Sequence, residues 1–211
     1  DCIRKACVQA MAGMEKAGEV VGEGVREFDA VAEIEAEIRR CGSVKAPFGS
    51  GMLLASGRHS ANIHASPRNH RISRGLVIAD LGGNHNGYFS DMTRTLTVGK
   101  PTVLEGRLLE LVEDAELSAI DFIKPGVTGG EVHEFLDEKL GDAGFSLLHA
   151  SGHGVGLNIH EKPTLSPGSD DVLEEGMVFT VEPGVYLAKK FGVRFEDTVL
   201  LTKRGCRVLT R

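Results

Sequence analysis

The sequence predicts an α+β chain of two related halves, each with a pair of helices followed by antiparallel strands. Three observations carry this expectation. Apolar residues at helical spacing come in two pairs of segments, residues 3–20 and 29–41, then again after Thr102 and after Thr128. Strand-like apolar runs follow each pair, at 76–82 and 88–97 in the first half and from 145 onward in the second. Landmarks also repeat at an offset of 102 residues: Gly24 with Gly126, Cys41-Gly42 with Ala143-Gly144, and Asp80 with Glu182.

In the first helix Ile3, Cys7, Met11, Met14 and Ala17 form the apolar face, and in the second Val31, Ile34 and Ile38. Residues 43–72 are rich in Gly, Ser and Pro. There Met52-Leu53-Leu54 and Ala61-Asn62-Ile63-His64 read as short strands among loops. Pro101-Thr102-x-x-Glu105 is a capping-box start, followed by Leu104, Leu108, Leu111, Ala115, Ala119 and Phe122 on one face. Pro125-Gly126 ends that helix, and Thr128-x-x-Glu131 caps the next, which buries Val132, Phe135, Leu136 and Leu140. Strands are expected at 145–151, 155–160, 177–182 and 193–201, with a turn at Lys189-Lys190-Phe191-Gly192.

Composition narrows the class. With 211 residues, 41% hydrophobic and 26% charged, the chain suffices for one domain over 1–211, with halves of about 1–100 and 101–211. A net charge of −6 argues against nucleic acid or an anionic membrane as the main partner. Cys2, Cys7, Cys41 and Cys206 show no metal-type spacing and read as free thiols of a reducing compartment. No run approaches the length of a membrane span, and the first segment is amphipathic rather than a signal peptide, so the expected location is the cytoplasm. The chain starts at Asp1 rather than Met, which suggests that further residues precede it.

Carboxylates cluster at the predicted hairpins. Asp80 and Asp91 flank the turn tetrapeptide Asn84-His85-Asn86-Gly87, and a hairpin centred between His85 and Asn86 sets them opposite each other, Cβ atoms about 5 Å apart. Two acids so close on a half-buried sheet require a proton or a cation between them. In the second half Glu182 and Glu196 flank a turn centred on Lys189 and face each other in the same way. Between the hairpins runs His149-Ala-Ser-Gly-His153-Gly-Val-Gly-Leu-Asn-Ile-His160. Its glycines permit close backbone approach, yet no strand-helix frame surrounds them, which argues against nucleotide binding. Four carboxylates and an imidazole suit a pair of divalent cations. Ions about 3.5–4 Å apart can share and acidify a water.

These residues resemble the ligands of the pita-bread dinuclear metallopeptidases, the family of methionine aminopeptidase, aminopeptidase P and prolidase. The resemblance rests on Asp80 with Asp91, His153 in Gly-His-Gly-Val-Gly-Leu, Glu182 in Val-Glu-Pro-Gly and Glu196 in Arg-Phe-Glu-Asp, and it spans nearly the whole chain. It implies a pseudo-twofold repeat of helices on a curved antiparallel sheet. It also implies two divalent ions, manganese or cobalt, with iron or zinc as alternatives. Asp80 would hold one ion, His153 and Glu182 the other, and Asp91 and Glu196 would bridge. Glu182 would further act as general base, and His64 and His160 would contact the substrate. Thr93 and Thr95 would orient carboxylates, and Arg194 would either bond an inner carboxylate or meet substrate. His59, His70, His85, His133 and His149 read as surface or packing residues, with His85 at the cleft edge.

Arg194-Phe-Glu196-Asp197 and Tyr88-x-Ser90-Asp91-x-Thr93-Arg94-Thr95 resemble the proline-specific branch. The expectation is an exopeptidase releasing the N-terminal residue of short peptides ahead of proline, with a homodimer as a candidate assembly. The N-terminal domain usual in proline-specific relatives is not visible. Methionine removal is the alternative activity, metal-free amidinohydrolysis a third, and a non-catalytic peptide- or protein-binding module the alternative of another class.

Overall fold

A computed structural model describes residues 1–46, 48–49 and 51–211; Pro47 and Ser50, in the loop-rich stretch, lie outside the described residues. Helix α1 (Cys2–Val20) packs against α2 (Glu27–Arg40), and both cover a three-stranded sheet ordered β1-β2-β5 from β1 (Leu53–Ser56), β2 (Gly75–Leu81) and β5 (Met92–Val98). A short hairpin of β3 (Asn84–His85) and β4 (Tyr88–Phe89) projects from this sheet. The second half repeats the plan with α3 (Val103–Phe122), α4 (Gly129–Gly141) and seven short strands: β6 (Gly152–Gly154), β7 (Glu161–Leu165), β8 (Val178–Val181), β9 (Gly184–Leu187), β10 (Phe191–Arg194), β11 (Asp197–Thr202) and β12 (Gly205–Val208). Their five-stranded sheet runs β12-β11-β8-β6-β7, and β9 pairs β10 alone.

The repeat extends to single hydrogen bonds. Gly24 N–H donates to the Ile72 carbonyl and Gly126 N–H to that of Leu173, while Ile72 N–H returns to Val25 and Leu173 N–H to Val127. Each half carries its own apolar cluster, one around Ile34, Leu54, Val77 and Leu81, the other around Leu108, Leu136, Phe179 and Val199.

Both predicted capping boxes are present. Thr102 accepts from Glu105 N–H and Thr128 from Glu131 N–H, with the glutamates returning to the cap N–H groups. The buried face of α1 differs from the expected stripe. Ala6, Cys7, Ala10, Gly13 and Ala17 are inside, whereas Ile3, Met11 and Met14 are only half-buried. The helices meet through small residues: a Cβ on Gly13 would overlap Ile38. Likewise α3 buries Val112 and Ile120 while leaving Leu104 and Phe122 exposed.

Strand positions also need correction. Residues 61–64 do not form a strand, because Gly57–Ala61 is a 3-10 helix leading into a loop. The strands expected at 145–151 and 155–160 lie instead at β6 and β7, with Gly152 opposite Leu165 and a bulge after His153. Propensity disfavours Gly-His-Gly as a strand, but close approach requires it: a Cβ on Gly154 would run into the Lys162 backbone.

Asp80 does not face Asp91. The register sets Asp80 against Thr93 and His85 against Tyr88, so the turn is centred between Asn86 and Gly87, both at positive φ (52° and 90°). The predicted register is off by two, a slip that preserves which face each side chain occupies. The 88–97 run is broken at Ser90-Asp91, placing Asp91 off the ladder.

In the second half the predicted register holds. Leu187 pairs with Phe191, Gly184 with Arg194, Val181 with Asp197 and Thr180 with Thr198, all about a centre on Lys189 (φ 63°). Glu182 and Glu196 lie opposite each other in the gap between these two ladders. The turn itself occupies Ala188–Lys190, and Phe191 already belongs to β10.

Beneath the fold of the first half, the Glu27 carboxyl is fully buried and accepts from Ser56 N–H, Ser56 Oγ–H and Arg68 N–H, joining α2 to both ends of the 56–68 segment. Glu27→Ala strands these buried donors and lowers the unfolding free energy by about 2–3 kcal/mol. Thr128→Ala, which removes one exposed cap, costs about 1 kcal/mol. Urea unfolding of both variants checks the order, and an equal or smaller loss for Glu27→Ala refutes the role given to Glu27.

Candidate metal centre

One face of the long hairpin 178–202 supplies much of the centre. Strand alternation puts Thr180, Glu182, Gly184 and Tyr186 on the same side as their partners Thr198, Glu196, Arg194 and Gly192. The first-half sheet meets this face edge to edge through a bridge between Thr93 and Glu196, whose N–H groups donate to each other's carbonyls at 3.3 and 3.1 Å. The Arg94 guanidinium reinforces the joint, donating to the Thr93 and Glu196 carbonyls and to the Asp197 carboxylate.

The expected ligands converge here to different degrees. Asp91, His153 and Glu196 are all buried, and each offers one ligand atom within 4.8 Å of the others. Glu182 Oε1 is 3.5 Å from His153 Nε2, and Asp91 Oδ2 is 3.8 Å from that same nitrogen. Asp80 stands outside the tight triad, with Oδ2 bonded to Arg194 Nη2 at 2.5 Å.

Each ligand candidate is held from behind. The Thr198 hydroxyl bonds both the N–H and the carbonyl of Asp91, Thr180 Oγ accepts from His153 N–H, and Glu182 N–H donates to the Ser151 carbonyl. Thr93 Oγ–H donates to Glu196 Oε2 at 2.6 Å, the orienting contact expected of it. Thr95 acts one step away: its hydroxyl exchanges hydrogen bonds with the Arg194 backbone.

Arg194 is 2% exposed and bonds an inner carboxylate. Its remaining donors reach Thr93 Oγ, the Ile63 carbonyl and Tyr186 Oη. Tyr186 Oη in turn lies 3.0 Å from His149 Nε2.

Charge at the centre is unbalanced. Burial, then the Glu196 charge, pushes the Asp91 and Glu182 carboxyls well above the usual range. Glu196 rises to about 8, chiefly through burial and then the nearby Asp80. Burial, then His160, holds the His153 imidazole down to about 4, so it is neutral. With Nδ1 set against the Gly154 carbonyl at 3.1 Å, the Nε2 lone pair faces the carboxylates.

One carboxylate oxygen on each of Asp80 and Asp91 is buried without a hydrogen-bond partner. Oxygen donors with one imidazole, orphaned acceptors and a single guanidinium among four acids fit divalent cations.

A cavity of about 600 Å³ opens beside this group, walled by His64, His149, His153, His160 and Glu182. His64 is exposed on its wall, and the His160 ring lies 4.1 Å from that of His153. His149, read from sequence as a surface or packing residue, belongs to the cavity instead, and burial holds its pKa down to about 4. Tyr186 was not singled out from the sequence. Its signal was available, since period two from Glu182 through Gly184 places it on the ligand face. His133 is packed inside, 2.7 Å from Ser151 Oγ.

Residues 1–203 match metallopeptidase family M24. An Xaa-Pro dipeptidase of Pyrococcus furiosus is 41% identical over the whole chain, and the structure of the prolidase from that organism superposes with a TM-score of 0.96. An X-Pro aminopeptidase of Thermotoga maritima is 32% identical over the whole chain, with a TM-score of 0.95 and 60% of its own chain covered. A methionine aminopeptidase of Thermotoga maritima, 23% identical with a TM-score of 0.89 and 95% covered, shares the fold. The chain spans 61% of the length of the Pyrococcus furiosus dipeptidase. The fold is the pita-bread fold, and the chain belongs to metallopeptidase family M24.

Proposed function

We propose that the protein is a dinuclear-metal exopeptidase that hydrolyses the N-terminal peptide bond of short Xaa-Pro peptides. The observation that carries this reading is the convergence of Asp91, His153 and Glu196, with Glu182 beside them, next to an open cavity walled by His153, Glu182 and further imidazoles. The proline preference is supported by the names of two relatives, the Xaa-Pro dipeptidase and the X-Pro aminopeptidase. The methionine alternative is supported by fold alone.

In this reading Asp80, Asp91, His153, Glu182 and Glu196 hold two divalent ions, manganese or cobalt. Divalent ions held there would supply Lewis acidity to the attacking water and to the scissile carbonyl. Glu182, partly open to the cavity, takes the proton of the attacking water and delivers it to the departing prolyl nitrogen. That nitrogen is a tertiary amide without its own N–H and leaves as an amine only once protonated. His64 and His160 bind the peptide at the cavity wall, and Arg194 fixes Asp80. A cytoplasmic setting belongs to the same reading, supported by four free cysteines; among the described residues no helix is long and apolar enough to cross a membrane.

Peptide hydrolysis tests the proposal. With manganese or cobalt, Xaa-Pro and Xaa-Pro-Yaa peptides are cleaved and Met-Ala-Ser is not; chelation abolishes turnover, and Glu182→Gln lowers kcat/KM at least about 100-fold. Cleavage of the methionine peptide alone refutes the proline assignment. Arg194→Lys keeps the charge but not the fork that reaches Asp80, Thr93 and Tyr186. It weakens metal binding about 10- to 100-fold by calorimetric titration, and unchanged affinity contradicts the positioning role.

The acid cluster also sets a pH dependence for the metal-free protein. Carboxyls whose folded pKa is raised above the unfolded value of about 4 stabilise the fold below that pH. This stability is lost as pH rises toward about 8, the Glu196 value. In chelator the melting temperature therefore falls between about pH 5 and 8, and manganese at the upper end restores it. A flat or rising profile is incompatible with the buried acid cluster.

A further inference from the structure

From Ile38 to Ala79 the sequence contains seven arginines and lysines and no aspartate or glutamate. The rest of the chain has 17 of the 24 cations against all 30 acids. Two of the seven, Arg58 and Arg68, meet Lys189 of the second half around one cleft. A cleft of about 890 Å³ opens between the 3-10 helix Gly57–Ala61, the 68–73 segment and the turn at Ala188–Lys190, and no carboxylate lines it. Arg58, Arg68 and Lys189 are exposed around it, with Asn62, His70 and Ser73 between them. Among the described residues none of these three cations forms an ion pair.

The cleft is preformed. Glu27, the acid beneath its floor, is consumed by Ser56 and Arg68 N–H, so it fixes both walls without neutralising the surface. The 3-10 helix is pinned from the far side, where Ser60 Oγ accepts from Gly192 N–H, and a Cβ on Gly192 would collide with the Ser60 carbonyl. Two residues beyond Asn62 stands His64, on the wall of the peptide cavity.

We propose that this cleft docks an acidic polypeptide segment, with Arg58, Arg68 and Lys189 taking its carboxylates. The three cations stand on three separate segments around the cleft, the 3-10 helix, the 68–73 stretch and the Ala188–Lys190 turn. Cations on separate segments suit several carboxylates carried by one chain better than a single phosphate. Arginine forks match carboxylates in two-point contacts, and the neighbouring Asn, Ser and His side chains serve peptide groups between them.

Fluorescence anisotropy with a labelled oligoglutamate peptide tests this, with oligoglutamine and oligothymidylate as comparison ligands. At low salt oligoglutamate binds and oligoglutamine does not, and binding weakens as salt is added. The combined Arg58→Glu, Arg68→Glu and Lys189→Glu variant weakens binding at least about 10-fold. Reversal of three exposed cations elsewhere, Arg107→Glu, Lys124→Glu and Arg204→Glu, changes it less than about threefold. The glutamine versions of the three cleft substitutions, checked for an unchanged melting temperature, reproduce the loss without adding acids. Equal losses in both reversal sets, or no binding at low salt, overturn the proposal. Tighter binding of oligothymidylate through the same three residues overturns the partner class in favour of a polyphosphate chain.

Discussion

The arrangement depends on one buried guanidinium. Four carboxylates drawn from both halves of the molecule surround a space from which water is largely excluded, and unpaired charges in such a space are costly. Among the described residues Arg194 is the single cationic side chain in their midst, and its planar fork is bonded to Asp80, to Thr93, to a loop carbonyl at Ile63 and to Tyr186. It thereby ties the central strand of the first sheet, the loop that leads to His64 and the second-half hairpin into one unit. The residual negative charge is the reason the centre suits cations, and the fixed bonds are the reason its acids cannot simply turn away from one another.

The second-half hairpin gives that guanidinium its place. Its register is continuous from Val178 to Leu200, with the ladder interrupted only where Glu182 and Glu196 face each other. Period-two alternation then puts threonines behind the candidate ligands and an arginine and a tyrosine beside them on one face. Gly192 leaves room for the 3-10 helix, so the segment that leads to His64 is built directly against the strand that carries Arg194.

Much of this was legible because local turn chemistry fixes register. A centre on Lys189 was enough to pair Glu182 with Glu196. In the first hairpin the same reasoning missed by two residues, because Asn86 and Gly87 both take positive φ and become the turn's centre, and the break at Ser90-Asp91 takes Asp91 off the ladder. The failures share a cause. The Gly-His-Gly strand, the small-residue face of α1 and the cavity position of His149 are each decided by how near another part of the chain comes, and that nearness has no signature in hydrophobic periodicity or strand propensity.

Asp91 is gripped at both its N–H and its carbonyl by one hydroxyl, that of Thr198, 107 residues further along the chain. Closing a loop of that length forfeits chain entropy early and returns contacts late. Neither half can complete the cation site by itself, however well its own helices and strands have formed. Cation affinity is therefore a property of the assembled pair of halves, and during folding it requires the closure that joins them.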